Sequence, residues 1–445
     1  MSEASAANDE VLPPTLAEAL IADNFDQKGG VLTVGGIEVS DLAKRFGTPL
    51  FVYDSMLLRR NLRRLRDAVG GRVDIHYSVK ANPNPAVISI FVAEGAGLEI
   101  ASAAEYLRAI KAGGTPERIV FAGPGKAAEE LDFVIERGIG EIHLETDIEL
   151  EMVAAIGERL GQCVPVGLRV NPSSAAQGGA MRMGGKPAPF GFDEERLVEI
   201  IAEVRKRPTL AFKGIHLFAG TQILDADVLE TQWRHAIELA RRIQTEQGVL
   251  VETIDLGGGL GVPYFKGEQN LDLERLSQLA PPLFAEAAST LPSTRIILEP
   301  GRYLAASAGL YLTRVRAAKH SRDQIYAVID GGMHHHLAAS GNLGQVIKKD
   351  YPIVLAGRLD APAEVTASVV GPLCTPLDTL GRKVRLPMPE TGDLVAVLQS
   401  GAYGLSASPV GFLSHPMPAE VLIDEGEARL IRERGSFEQP ITPLP

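Results

Sequence analysis

Residues 97–145 read GLEIASAAEYLRAIKAGGTPERIVFAGPGKAAEELDFVIERGIGEIHLE. Three short runs, GLEIAS (97–102), RIVFAG (118–123) and EIHLE (141–145), are strand-like, and AAEYLRAIKAG and AAEELDFVIERG between them carry apolar residues at helical spacing. Strand followed by helix is the repeating unit of a parallel sheet covered by helices. The same alternation continues in both directions. Strand-like runs recur at 48–54, 74–82, 164–170, 212–220, 252–259 and 295–301, separated by stretches such as SMLLRRNLRRLRDAV and VLETQWRHAIELARRIQTEQG. About eight such units over about 250 residues mark an α/β fold, either a (β/α)₈ barrel or a doubly wound sheet.

Beyond residue 306 the pattern changes. LYLTRVRAAKH, QIYAVID, AEVTASVVG, DLVAVLQSG, AEVLIDEG and EARLIRERG follow one another without long helices, which predicts an all-β second domain. The expected layout is a tail or loosely docked helix over 1–29, a segment over 30–47 whose hairpin pairs with the β domain, a barrel over 48–305 and the β domain over 306–445.

The chain of 445 residues carries 44 Lys and Arg against 56 Asp and Glu, a net charge of −12 that gives no overall attraction to nucleic acid or anionic lipid. No nucleic acid or membrane partner is expected. Only Cys163 and Cys374 are present, too few for a disulfide framework, so a reducing cytoplasm is the expected location. The N-terminus MSEASAANDEVLPPTLAEAL lacks the basic and apolar order of a secretory signal. No run approaches the length of a membrane span.

Functional groups of a barrel collect at the C-terminal ends of its strands. HYSVKANPN places Lys80 at such an end. Alone, Lys80 reads equally well as a solvated charge or as a lysine whose pKa is depressed by apolar neighbours, and the second state is the one a Schiff base needs. ETIDLGGGLG ends in Gly257, Gly258 and Gly259, where backbone N–H groups can approach an anion, although a tight turn accounts for the glycines equally well. Glu299 and Arg302 in RIILEPGRYL are either an exposed ion pair or two grips on one ligand. In the β domain, GPLCTPLDTLG sets Cys374 and Asp378 in one loop, and QSGAYGLS sets Tyr403 between small residues. Three adjacent histidines, His334 to His336, cannot converge on one ion from a regular strand, and no metal is expected there.

Taken in order, Y-S-V-K-A-N-P-N (77–84), G-G-G (257–259), E-P-G-R (299–302), G-P-x-C-x-x-x-D (371–378) and S-G-A-Y-G (400–404) resemble the alanine-racemase-like decarboxylases that use pyridoxal 5′-phosphate (PLP). That family includes the diaminopimelate, ornithine and arginine decarboxylases, and the resemblance covers nearly all of residues 30–425. It implies a PLP-binding (β/α)₈ barrel followed by a β domain. It implies that Lys80 carries the cofactor, that Gly258, Gly259, Arg302 and Tyr403 hold its phosphate, and that Phe218 and Thr221 also touch it. Glu299 would face the pyridine nitrogen and keep it protonated, which strengthens the ring as an electron sink and favours decarboxylation, through an external aldimine and a quinonoid, over racemisation. Cys374 would direct protonation of the reacting carbon. Cys374 and Asp378 would reach the site from the neighbouring subunit of a homodimer with shared active sites.

Departures from the diaminopimelate branch concern the substrate. Its distal arginine and tyrosine are Ala338 and Asn342 here, the glutamate after its cysteine is Thr375, and the ring-stacking histidine is Phe218. A distal ammonium and carboxylate would be desolvated there without compensation. GGMHHHLAASGN, GPLCTPLD and SGAYGLSASPVGFLSHP are similar to an exosortase-associated subgroup and to decarboxylases of a glutamyl group on a carrier protein. The expected substrate is therefore an amino acid or a carrier-protein-bound aminoacyl group. A diaminopimelate decarboxylase, an amino-acid racemase and a non-catalytic PLP-binding protein are the alternatives.

Overall fold

Eight parallel strands close on themselves in the computed structural model, which describes residues 14–173, 181–182, 187–218, 220–343, 345 and 348–438. They are Val73–Ser78, Gly97–Ile100, Ile119–Phe121, Glu141–Leu144, Val164–Asn171, Leu210–Leu217, Thr253–Asp255 and Arg295–Leu298. Each pairs with its neighbour in parallel, and Arg295–Leu298 pairs back onto Val73–Ser78 to complete the ring. The alternation of side chains along each strand decides what faces where. In Val73–Ser78, Tyr77 points outward and stacks on Phe91 of the helix Pro85–Ala93, ring centroids 4.1 Å apart. His76 therefore points inward. There it fills the space beside Gly97, where a Cβ would lie 2.5 Å from the imidazole.

Helices between the strands form the outer layer, and their ends follow the sequence. Ser55–Val69 starts on Asp54, whose carboxylate accepts from the N–H of Met56 at 2.8 Å, and ends on Gly70 in the left-handed region. Thr146 caps Asp147–Leu160, and Asp272 caps Leu273–Thr290. Leu273–Thr290 packs against both Ala226–Gln247 and Ser55–Val69, so the last helix of the ring meets the first.

The run at 48–54 is not a barrel strand, contrary to the sequence expectation. Leu50–Asp54 pairs antiparallel with Gly309–Ser321 and parallel with Ala419–Asp424, at the centre of a nine-stranded β-rich sheet. All five residues are buried, so their pattern cannot distinguish a barrel strand from a central strand of another sheet. The remaining strands of this sheet come from residues 309–432, as the change of pattern after residue 306 predicts.

The hairpin expected to join the β domain forms its own small sheet, Asp26–Lys28, Val31–Val34 and Ile37–Glu38. It is tied to the β region by two backbone bonds, Leu32 N–H to Ala356 O at 2.8 Å and Leu359 N–H to Gly30 O at 2.7 Å. Part of the expected tail is helical. Leu16–Asn24 carries a capping box between Thr15 and Glu18, buries Leu20, and is held by Arg60, which donates to Asp23 O at 2.8 Å and Asn24 Oδ1 at 2.5 Å. Residues 1–13 lie outside the described residues. Among the described residues, no helix is long and apolar enough to cross a membrane.

Candidate active site

A cavity of about 730 Å³ lies at the C-terminal ends of the barrel strands, and loops of the β region close one side of it. Strand Val73–Ser78 runs into a single 3₁₀ turn, Val79–Ala81, which turns Lys80 into the cavity. Lys80 Nζ donates to both carboxylate oxygens of Glu99, at 2.9 and 3.0 Å, and Ser78 Oγ donates to Glu99 Oε2. The lysine side chain is 47% exposed, and it lines the cavity. Burial works against its charge, yet Glu99, then Tyr403 and Glu299, outweigh burial and hold the ammonium above its ordinary range. A depressed lysine was one of the two readings of Lys80 that the sequence left open. Glu99, on the neighbouring strand, reverses its sign.

The opposite wall is built on Glu299, which follows strand Arg295–Leu298. Its N–H donates to Gly257 O at 2.8 Å, and its Oε2 lies 3.4 Å from His216 Nε2. Gly257 N–H donates to Asp255 Oδ1 at 2.8 Å. Burial pushes Asp255 well up, reinforced by the charge of Glu299. Burial also opposes the charge on Glu299, but the proximity of His216 foremost, then of Asp255 and His143, prevails and holds it below the carboxylate range. Burial lowers His216 to about 4, so its ring is neutral near pH 7.

Gly258 and Gly259 lie between these walls. A Cβ on Gly258 would sit 2.5 Å from Glu299 O, and one on Gly259 would sit 2.7 Å from Gly220 O. Only glycine lets the chain pass so close to those carbonyls. Arg302 lies with its guanidinium carbon 4.4 Å from the centroid of Tyr403 and 5.5 Å from that of Tyr264, and Nη1 donates to Tyr264 Oη at 3.2 Å. Tyr403 has φ +52°, and its N–H donates to Ala81 O at 2.8 Å. Asn82 Nδ2 adds a bond to Gly401 O at 3.0 Å, so the SGAYG loop is fastened to the lysine's own turn. Phe218 and Thr221 line the same cavity.

The structure thus brings together Lys80, Phe218, Thr221, Gly258, Gly259, Glu299, Arg302 and Tyr403. It does not bring Cys374 or Asp378 to them. Cys374 is exposed. Asp378 is buried and accepts from Met333 N–H at 2.6 Å and Leu373 N–H at 2.9 Å, bracing the loop that carries the cysteine. Of the four departures from the diaminopimelate branch, Ala338 and Phe218 line the cavity. Asn342 instead donates to Ser340 Oγ and Leu377 O and accepts from Lys348. His335 pairs with Tyr311 at 3.0 Å and His336 with Ser400 at 2.9 Å, so these two histidines are spent on packing loops together.

Glu99, Asp255 and His216 are the site residues that sequence reasoning missed. Glu99 and Asp255 stand in strand-end runs, GLEIAS and ETIDLGGG, and an acidic residue inside such an apolar run was the available signal.

The residues present fit PLP. Glu299 Oε1 is buried without a partner, an acceptor left over for a ring N–H, and Arg302 Nε is a buried donor left over beside the glycine cradle. Lys80 Nζ is an amine on the same cavity, where it would bond the cofactor's aldehyde.

Comparison with known proteins agrees. Residues 56–306 match the family model for the pyridoxal-dependent decarboxylase, pyridoxal binding domain. The chain is 39% identical over 408 residues to the L-glutamyl-[BtrI acyl-carrier protein] decarboxylase of Niallia circulans, covering 90% of this chain and 94% of that one. It is 33% identical over 419 residues to the diaminopimelate decarboxylase of Zymomonas mobilis, covering 93% and 96%. The diaminopimelate decarboxylase of M. jannaschii, solved with L-lysine, superposes with a TM-score of 0.86 at 27% identity, covering 95% of this chain and 98% of that one. A barrel followed by a β domain, a cavity that fits pyridoxal phosphate and these likenesses have one reading: the chain belongs to the PLP-dependent decarboxylases of the ornithine, arginine and diaminopimelate type, and PLP is its cofactor.

Proposed function

We propose that this carboxy-lyase removes the α-carboxylate from an aminoacyl group tethered through its side chain, as on a carrier protein, rather than from free diaminopimelate. The observation that carries this is the pairing of charge around the cavity. Among the described lining residues, Lys80 is paired with Glu99 and Arg169 with Glu145 at 2.7 Å, Glu299 stands beside the neutral ring of His216, and Arg302 lies between Tyr264 and Tyr403 at the glycine cradle. The wall beyond them includes Ala338, Leu343 and Phe190. A second ammonium and carboxylate would lose water there and gain no partner, whereas a side chain whose carboxyl is esterified brings no such charge. The relative from Niallia circulans, named for a glutamyl group on an acyl-carrier protein, supports the same class.

Bound PLP supplies the electron sink that accepts the pair released with CO₂. The protein's part is to hold and to move protons. Arg302 and the backbone at Gly258 and Gly259 grip the phosphate, and Phe218 packs against the ring. Glu299 keeps the ring nitrogen's proton in place. Lys80 Nζ must shed a proton to bond the cofactor, and Glu99, 2.9 Å away, accepts it. Cys374 acts on the site of a second copy, whose own loop reciprocates, in a homodimer; Asp378 holds that loop in shape. The measurement that decides the substrate is CO₂ release from PLP-loaded protein given free glutamate, free meso-diaminopimelate and a γ-glutamyl thioester of pantetheine or carrier protein. The thioester is expected to exceed diaminopimelate by about 100-fold in kcat/KM. Faster turnover of diaminopimelate overturns the reading.

A further inference from the structure

A second, smaller polar cavity takes no part in the chemistry above. It measures about 130 Å³ and lies between the helices Leu16–Asn24, Ser55–Val69 and Leu273–Thr290. It shares no lining residue with the cofactor cavity, yet it backs onto the segments proposed to grip the cofactor's phosphate. Arg302 and Tyr303 are neighbours in sequence, and Arg302 lines the first cavity while Tyr303 lines the second. Gln399, just before the loop of Tyr403, lines it too and donates through Nε2 to Pro263 O at 3.0 Å.

The walls of this cavity carry hydrogen-bonding capacity that the fold leaves unused. Arg60 spends Nη1 on Asp23 O and Nη2 on Asn24 Oδ1, while its Nε is buried without a partner. The guanidinium of Arg64 and the hydroxyl of Tyr303 make no hydrogen bond among the described residues. Gln399 is 2% exposed, and its Oε1 is buried without a donor. Polar groups left this way cost stability unless something fills the space between them. The lining holds two guanidiniums against one carboxylate, Asp23, which accepts from Asn270 Nδ2 at 3.3 Å. Burial, then the charge of Arg64, holds Arg60 below its ordinary range, and burial raises the Tyr303 hydroxyl against the pull of Arg64 and Arg60. Both arginines therefore direct their charge at one space.

We propose that this cavity is a binding site for one inorganic phosphate, held by Arg60, Arg64 and the Tyr303 hydroxyl, with the P–OH of the ion donating to Gln399 Oε1. Size, charge and donor pattern each support it. A cavity of about 150 Å³ holds one benzene, so this one takes a single small oxyanion and excludes a nucleotide. The donors of a guanidinium match the oxygens of a phosphate, and an anion relieves the repulsion between the two arginines. The leftover acceptor selects among oxyanions. Hydrogenphosphate has a proton to give to Gln399 Oε1, whereas sulfate at neutral pH has none.

The test uses PLP-loaded protein in a chloride buffer of low ionic strength, so that the cofactor's own phosphate is already in place, and follows radiolabelled inorganic phosphate by equilibrium dialysis. About one phosphate per chain should bind with a dissociation constant below about 1 mM, and sulfate should compete about 10-fold more weakly. Arg64→Gln, which breaks no bond of the fold, should weaken binding about 10-fold, and Tyr303→Phe about threefold. Arg63→Gln is the control: Arg63 stands on the same helix but is paired with Glu94, and its loss should change binding by less than about twofold. Absence of binding at about 10 mM phosphate overturns the proposal, as does wild-type binding in Arg64→Gln. An equal loss in Arg63→Gln also overturns it, because the ion then answers to surface charge rather than to this cavity. Sulfate that competes as well as phosphate removes the role of Gln399 and with it the assignment to phosphate.

Discussion

The barrel and the β region contribute to the cavity in opposite ways. Barrel residues reach it as side chains from strand ends, where Lys80 is paired with Glu99 and Glu299 stands beside the neutral ring of His216 before any ligand arrives. The β region contributes mainly through loops pinned by backbone bonds. Tyr403 is held at Ala81, while Cys374 is carried on an exposed loop braced by Asp378. One chain thus brings the residues around the cavity together, whereas its cysteine is carried away from them on an exposed loop.

The largest effect that sharpens this contrast is expected from Lys80→Ala, which should reduce CO₂ release by about 1,000-fold or more and remove the visible absorbance of a lysine-bound cofactor. Cys374→Ala is expected to cost about 100-fold in kcat. Mixing these two inactive proteins tests the division directly. If the cysteine serves the partner's site, re-equilibrated mixtures recover about a quarter of wild-type activity, and no recovery places both groups in one chain's site. Asp378→Ala leaves the N–H groups of Met333 and Leu373 buried without an acceptor and should lower unfolding stability by about 2 kcal/mol in denaturant titration.

The smallest expected effect lies in the β region's histidines. Burial lowers His334, His335 and His336 to about 4, 2 and 3. Each is then neutral in the fold while the unfolded chain takes up protons below about pH 6.5, so their contribution is complete above that pH and is lost as pH falls toward 4. His334→Phe should flatten the acid branch of stability against pH by up to about 1.4 kcal/mol per pH unit. An unchanged slope would show that His334 does not titrate differently in the two states.

Much of this arrangement was legible in the chain itself, because strand ends in a barrel are where chemistry must be and the apolar alternation marks the strand ends. Lys80, Gly258, Gly259, Glu299 and Arg302 were singled out on that ground, and the resemblance carried by the ordered motifs gave them their roles. What was not legible depends on neighbours in space. The state of Lys80 is set by Glu99, a residue one strand away whose carboxylate touches it only after the barrel closes. Cys374 and Asp378 stand four positions apart, yet one is exposed and the other buried, a difference made by loop geometry that no spacing encodes. Leu50–Asp54 shows the same limit at the level of the fold. An apolar run states that a strand is buried and leaves open which sheet buries it.

That strand has a consequence for how the molecule is made. Leu50–Asp54 leaves the ribosome early, but the strands on either side of it, Gly309–Ser321 and Ala419–Asp424, are synthesised much later. At ordinary elongation rates the first of these follows by roughly 10–50 s. The barrel strands can pair during that interval, while five residues meant for the centre of a sheet wait with both edges open. A chain stopped at the end of the barrel never covers them. Expressed alone, the barrel should aggregate through this one strand unless the strand is removed with the β region it belongs to.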